Sequence, residues 1–238
     1  METNTGDNYV LTPAIDPESV DWKALEQLGI TRERLEKSGD LARMLGWQKS
    51  SLLSIAIPFE SEKIYTDARL SFRSAEDGRP GLSIHPLRKE PRLDFPFMGH
   101  TFTEEEKSAL RHSGNLGALV VLTPKQGEPF PAYVSVDPQT NEIIALRADR
   151  LMIPREIKGL MLTDEQYCDL KSGRPVRAEG LLSRKGKPFN ATLQINAEKR
   201  GVEFIFDEAL SYKQCRAGQR KSISENRKQS ARKAGPKL

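Results

Sequence analysis

The chain has 238 residues, 37% of them hydrophobic and 29% charged, with a formal net charge of +4. No stretch approaches the roughly 20 apolar residues of a spanning helix, and two cysteines are too few for a disulfide framework. The first twenty residues lack a basic-then-apolar leader pattern, so a cytoplasmic protein with no membrane partner is expected.

Residues 1–15 are polar and irregular, and disorder is expected there. A helical segment and a first β unit are expected over 16–101. Asp16-Pro17 or Ser19 opens a helix carrying Val20, Trp22, Leu25 and Leu28, with Trp22 read as a core anchor and Gly29 as the stop. Thr31 caps a second short helix around Leu35, and a third holds Leu41, Met44 and Leu45 up to Gly46. Residues 52–59, 63–73 and 81–85 read as strands, the last two joined by an Asp77-Gly78 turn.

Residues 102–161 form a second unit. Thr103 and Glu106 fit a capping box, and Glu104 and Glu105 suit the positive end of the helix dipole. Gly114 stands where a left-handed residue ends the helix. The apolar run 118–122 leads to a Lys125-Gln126-Gly127 turn. Then Tyr133, Ser135 and Asp137 alternate with Val134 and Val136, the pattern of a strand with one wet face. A turn near Pro138–Asn141 precedes a third strand.

Residues 162–211 repeat this order about sixty positions later. Thr163 and Gln166 form the box, Gly173 the stop, 176–182 the first strand, and Lys185-Gly186-Lys187-Pro188 the turn. Ala191, Leu193 and Ile195 alternate with Thr192, Gln194 and Asn196. The joints Pro96-Phe97-Met98-Gly99 and Pro154 to Gly159 match as well, and Ser38-Gly39 echoes Ser113-Gly114. The expected fold is α+β: a small helical N-terminus, then tandem units of one short helix plus a three-stranded antiparallel meander.

No catalytic constellation emerges. His85, His100 and His112 show no metal-ligand spacing, and neither GxxxxGK[ST] nor a strand-linked GxGxxG is present. Cys168 is read as helix packing, and Cys215 lacks a neighbouring base. No enzyme, cofactor or metal is expected. The functional signal is charge segregation. In the tail 212–238, nine bases stand against the single acid Glu225, giving +8 there and −4 over 1–211. Such a segment has too few apolar residues to order itself. Its cations Lys213, Arg216, Arg220, Lys221, Arg227, Lys228, Arg232 and Lys233 suit a phosphate backbone without reading sequence. Lys125, Arg184, Lys185 and Lys187 in the repeat turns form a secondary set. A ribosome or an anionic surface fits the same charges.

The segments 20–41 (VDWKALEQLGITRERLEKSGDL), 66–72 (TDARLSF), 87–107 (LRKEPRLDFPFMGHTFTEEEK), 113–117 (SGNLG), 154–159 (PREIKG), 162–166 (LTDEQ) and 185–206 (KGKPFNATLQINAEKRGVEFIF) together resemble a pair of adjacent uncharacterised domain families. These domains of unknown function occur in Bacteroides-type bacteria on conjugative elements and plasmids, often associated with type IA topoisomerases and sometimes beside or fused to them. The resemblance implies a DNA-handling role on a mobile element and carries no catalytic residues. The leading expectation is therefore a non-catalytic nucleic-acid-binding accessory protein, with DNA the first candidate partner. The alternative is a protein-interaction module that recruits a partner such as a topoisomerase.

Overall fold

The computed structural model describes residues 15–60, 62–74 and 79–206, and these fall into two compact bodies. The first body holds 15–92 together with Val136–Ile143, and the second holds Leu93–Ser135 and 144–206. The tail 212–238 and its eight predicted contact residues lie outside the described residues, as do the Asp77-Gly78 turn and most of segment 1–15.

The first body opens with a 3-10 turn, Pro17–Ser19, capped by Asp16, and three short helices: α1 (Trp22–Gln27), α2 (Arg32–Ser38) and α3 (Asp40–Leu45). The first true helix thus starts one cap later than the sequence suggests: Asp21 accepts from the Ala24 N–H and Pro17 is absorbed in the preceding turn. Thr31 caps α2 as expected, accepting from the Arg34 N–H. Three strands follow in the order β1 (Leu53–Phe59), β2 (Glu62–Ser74) and β3 (Pro80–Pro86), with β2 central and both pairings antiparallel. Leu25, Leu35 and Met44 of the helices and Ile30, between α1 and α2, meet Leu53, Ile55, Leu70 and Phe72 of the sheet in one core. Trp22 only borders that core; its indole N–H donates to the Pro17 carbonyl and Arg32 stacks over its ring.

The second body carries two further helix–meander units. One has α4 (Glu104–His112), β4 (Asn115–Leu122), β5 (Phe130–Val136) and β6 (Ile143–Arg147). The other has a two-strand joint, β7 (Glu156–Ile157) and β8 (Leu160–Met161), then α5 (Asp164–Lys171), β9 (Val176–Leu182), β10 (Pro188–Asn196) and β11 (Gly201–Ile205). In each sheet the middle strand in sequence is the middle strand in space. Both expected capping boxes are formed in full, Thr103 with Glu106 and Thr163 with Gln166.

The repeat extends to backbone detail. Met98-Gly99 (φ 47°, 79°) and Lys158-Gly159 (φ 51°, 78°) make equivalent two-residue turns with both residues left-handed, the conformation that matches strand twist in tight hairpins. The Met98 and Lys158 carbonyls accept from the N–H groups of Thr123 and Leu182, each at 2.7 Å. Both glycines have a left-handed backbone and close neighbours: a Cβ on Gly99 would meet the Thr123 carbonyl oxygen at 3.2 Å, and one on Gly159 would meet the Leu182 side chain at 3.0 Å. At the far end, Asp137 accepts from the Gln139 N–H and Asn196 from the Glu198 N–H, and each Asx turn leads to a left-handed non-glycine, Asn141 (φ 56°) or Arg200 (φ 53°). The first unit keeps part of the scheme. The Leu28 carbonyl accepts from Ala56 in β1 at 2.9 Å, left-handed Gly29 follows, and Gly39 ends α2 as Gly114 follows α4 and Gly173 follows α5.

Two side-chain expectations are corrected. The alternation in β5 does not leave a wet face: Tyr133, Val134, Ser135, Val136 and Asp137 are all buried, and so are Gln194 and Asn196 of β10. The polar faces of the second and third units are consumed by mutual hydrogen bonds. Ser135 Oγ accepts from the Ala197 N–H, Asn115 Nδ2 donates to Gln194, and the Tyr133 hydroxyl donates to the Lys171 carbonyl at 2.7 Å. Cys168 is exposed on α5 and does not pack; Leu170 is the helix's buried residue.

Candidate nucleic-acid interface

Of the predicted contact residues, the four turn cations are described. Lys125 lies in the turn between β4 and β5; Arg184, Lys185 and Lys187 lie in the equivalent turn between β9 and β10. All four are exposed, and among the described residues none of them forms an ion pair. The β9–β10 turn is tied through Ser183: its N–H donates to the Lys187 carbonyl at 3.0 Å, its hydroxyl accepts from the Lys187 N–H at 3.1 Å, and its carbonyl accepts from Gly186 at 2.9 Å. A hydrogen-bonded backbone thereby presents three cations at one loop. In the β4–β5 turn Lys125 has Glu128 for company, so that loop is close to neutral.

An aromatic residue follows each turn, in different surroundings. Phe130 is buried beneath Arg147, whose guanidinium carbon is 4.4 Å from the ring centroid and which is held in turn by Asp149. Phe189 is half-buried, with its centroid 6.2 Å from Phe204 and 5.8 Å from Phe206. Phe206 stands 46% exposed. In the sequence each of these aromatics looks like ordinary strand filling.

A second constellation was invisible in the sequence. In the first body, Asp137, fully buried, accepts from Arg69 at 2.8 Å and Lys49 at 3.1 Å. Lys49 also reaches Glu142 at 2.5 Å, and Glu142 meets His85 Nδ1 at 2.7 Å, while His85 Nε2 lies 2.8 Å from the Ser71 hydroxyl. The order hydroxyl, imidazole, carboxylate is that of an activated nucleophile. The charge pattern speaks for structure instead. Glu142 shares one oxygen, Oε2, between His85 and the Lys49 ammonium, and two cations balance two carboxylates. Burial opposes the charge on Glu142, yet the bonds from His85 and Lys49 outweigh it and hold its pKa at about 2. Burial likewise opposes the Asp137 charge, and the Gln139 N–H with Arg69 and Lys49 brings its pKa below the usual carboxylate value. A network of this kind fixes geometry, because each carboxylate is held by partners from separate segments of the first body.

Two family models match the chain. Residues 15–96 match one described as "Protein of unknown function (DUF4099)" and residues 154–207 one described as "Protein of unknown function (DUF3945)". No curated protein and no solved structure matches. The DUF4099 match takes in α1 to α3 and the β1–β3 sheet. The DUF3945 match takes in the β7–β8 joint and the whole third unit, including Phe189, Phe206 and the cationic turn. Asp137 and Glu142 lie between the two matches, so the ionic network joins the DUF4099 region to residues outside it.

The other candidates offer less. Among the described residues no group of three or more His, Cys, Asp or Glu side chains is placed to hold a metal ion. His100 pairs with Glu106 at the start of α4 and His112 Nδ1 lies 2.7 Å from the Ser108 carbonyl, both local helix-end contacts. The DUF4099 region bears an open groove of about 750 Å³ lined by Val20, Ala24, Phe72 and Leu82 with Glu18 and Asp21 on its rim. No helix among the described residues is long and apolar enough to cross a membrane.

Proposed function

We propose that this protein is a non-catalytic accessory factor that binds nucleic acid, with the basic tail holding the phosphate backbone without sequence preference. The observation that carries the reading is the segregation of charge, +8 in residues 212–238 against −4 in the rest of the chain. Cations that neutralise phosphates release the counterions condensed on a polyphosphate, which favours binding whatever the base sequence. Arg184, Lys185 and Lys187, exposed and without an ion pair among the described residues, support the same reading from a folded part of the chain. A mobile-element setting, a cytoplasmic location and DNA as the natural polymer belong to this proposal.

Binding of the full chain to duplex DNA, measured across a salt series, tests it. If the tail neutralises about five phosphates, log affinity falls against log salt with a slope near about −4.5. Replacing the eight tail bases from Lys213 to Lys233 by glutamine should flatten that slope and weaken binding; unchanged affinity refutes the reading.

A protein-recruiting role, for example toward a topoisomerase, is the second reading, and one observation favours it. The paired segments of β1 and β2 continue past the point where β3 stops pairing, at Ala68. That two-stranded arm exposes Phe59, Ile64 and Tyr65. An apolar arm with an open strand edge is a template for β-addition. A stoichiometric partner that survives nuclease treatment and is lost on replacing Tyr65 with Lys would establish this role.

A further inference from the structure

The second and third units supply their own internal comparison at one site. Six landmarks coincide between them: the two-residue joint, the capping box, the glycine that follows the helix, the turn lysine, the phenylalanine just after the turn and the left-handed residue after the Asx turn. Arg147 and Phe206 lie equally far along the chain from Asn141 and Arg200, so they occupy the same place beside Phe130 and Phe189. In the second unit this place is filled from within. The planar Arg147 guanidinium lies over the Phe130 ring, Asp149 holds it there, and the adjoining turn is close to neutral. In the third unit the intrinsic guanidinium is gone. Phe206 replaces it and stands 46% exposed against Phe189, and the adjoining turn carries three cations that form no ion pair among the described residues.

A planar cation on an aromatic face is the nearest side-chain analogue of a stacked base. Lys187 is two residues from Phe189 on the same extended segment, and Pro188 keeps Lys187 extended. That spacing is about 6–7 Å, and the exposed Phe206 ring lies beyond it, 5.8 Å centroid to centroid from Phe189. We propose that the third unit is a single-stranded nucleic-acid site, in which Phe206, backed by Phe189, stacks an unpaired base while Arg184, Lys185 and Lys187 hold the flanking phosphates. This rests on the nucleic-acid reading above but places the contact on the fold and adds a preference for unpaired bases. Duplex DNA keeps its bases stacked on each other and can engage only the cations.

The full chain is titrated by fluorescence anisotropy with an oligothymidylate, an abasic strand of equal length and a duplex. F206A should weaken oligothymidylate binding about tenfold, the scale of base–aromatic stacking, and leave the abasic strand and duplex unchanged. F206W should restore binding, which separates stacking from any loss of local packing. The double variant K185E/K187E should weaken all three ligands and lower the salt slope by about 2. Equal oligothymidylate affinity for the parent and F206A overturns the site, as does an equal loss on the abasic strand. A tail-neutralised variant keeps the two claims apart. Loss there with no effect of F206A leaves only the tail reading; loss in F206A with no effect of tail neutralisation leaves only the folded site.

Discussion

Replacing Asp137 by Asn should strip the first body of much of its stability. The carboxylate is fully buried and accepts from Arg69 at 2.8 Å, Lys49 at 3.1 Å and the Gln139 N–H at 3.0 Å. Asparagine keeps the shape and can still accept from Gln139, so the change isolates the charge. With it, two cations face only Glu142, and a buried network that was neutral carries a net positive charge. Removing one partner of a buried pair costs about 3–5 kcal/mol, against about 5–15 kcal/mol for a whole domain. The assay is built into the chain. Its two tryptophans, Trp22 and Trp47, both pack against the core of this body, so their fluorescence in a urea titration reports its unfolding. With a urea dependence of about 2 kcal/mol per molar, the midpoint should fall by roughly 2 M. The apolar pair R69M/D137L should recover part of the loss, since removing both partners leaves fewer buried charges than removing one. A D137N midpoint within about 0.3 M of the parent would refute the claim that this network holds residues 136–143 in place.

Acid should act on the same network through Glu142. Its folded pKa of about 2 lies below the usual carboxylate value, so its stabilisation is complete above the ordinary glutamate pKa and is lost as pH falls through about 2. A shift of this size corresponds to on the order of 3 kcal/mol. Urea midpoints followed by tryptophan fluorescence should drop between about pH 4.5 and 2 in the parent and much less in E142Q; parallel pH profiles would exclude this origin. Glycine substitutions in the third unit should separate crowding from conformation. A Cβ at Gly173 (φ 90°) would lie 3.0 Å from the Ala118 backbone, whereas one at Gly186 (φ 69°) meets nothing within 4 Å. G186A should therefore cost about 1–2 kcal/mol from its left-handed backbone alone, and G173A clearly more, as read by thermal unfolding; equal losses would show that Ala118 gives way.

The caps, the stops and the tandem order could be read directly from the sequence because each is decided within a few residues. Thr103 and Glu106, or Met98 and Gly99, need no information from elsewhere in the chain. The ionic network could not, since Lys49 and Asp137 are 88 positions apart and Arg69 and Asp137 are 68 apart; only pairing of whole strands brings them together. The wet faces assigned to β5 and β10 failed for a related reason. Alternation reveals that one face is polar, but not that Asn115, Ser135 and Gln194 spend that polarity on one another. At the candidate interface the turn cations were recognisable by type and exposure. The contrast between Arg147 over Phe130 and Phe206 beside Phe189 required the coordinates, because it depends on what neighbours each ring.

Asn141 and Arg200 bend the main chain through the same uncommon angle although their side chains have nothing in common. The path evidently belongs to the architecture and not to the residue that follows it. A repeated segment of this kind can exchange its surface chemistry while its trace stays put, so a change in one copy leaves the path of the other undisturbed.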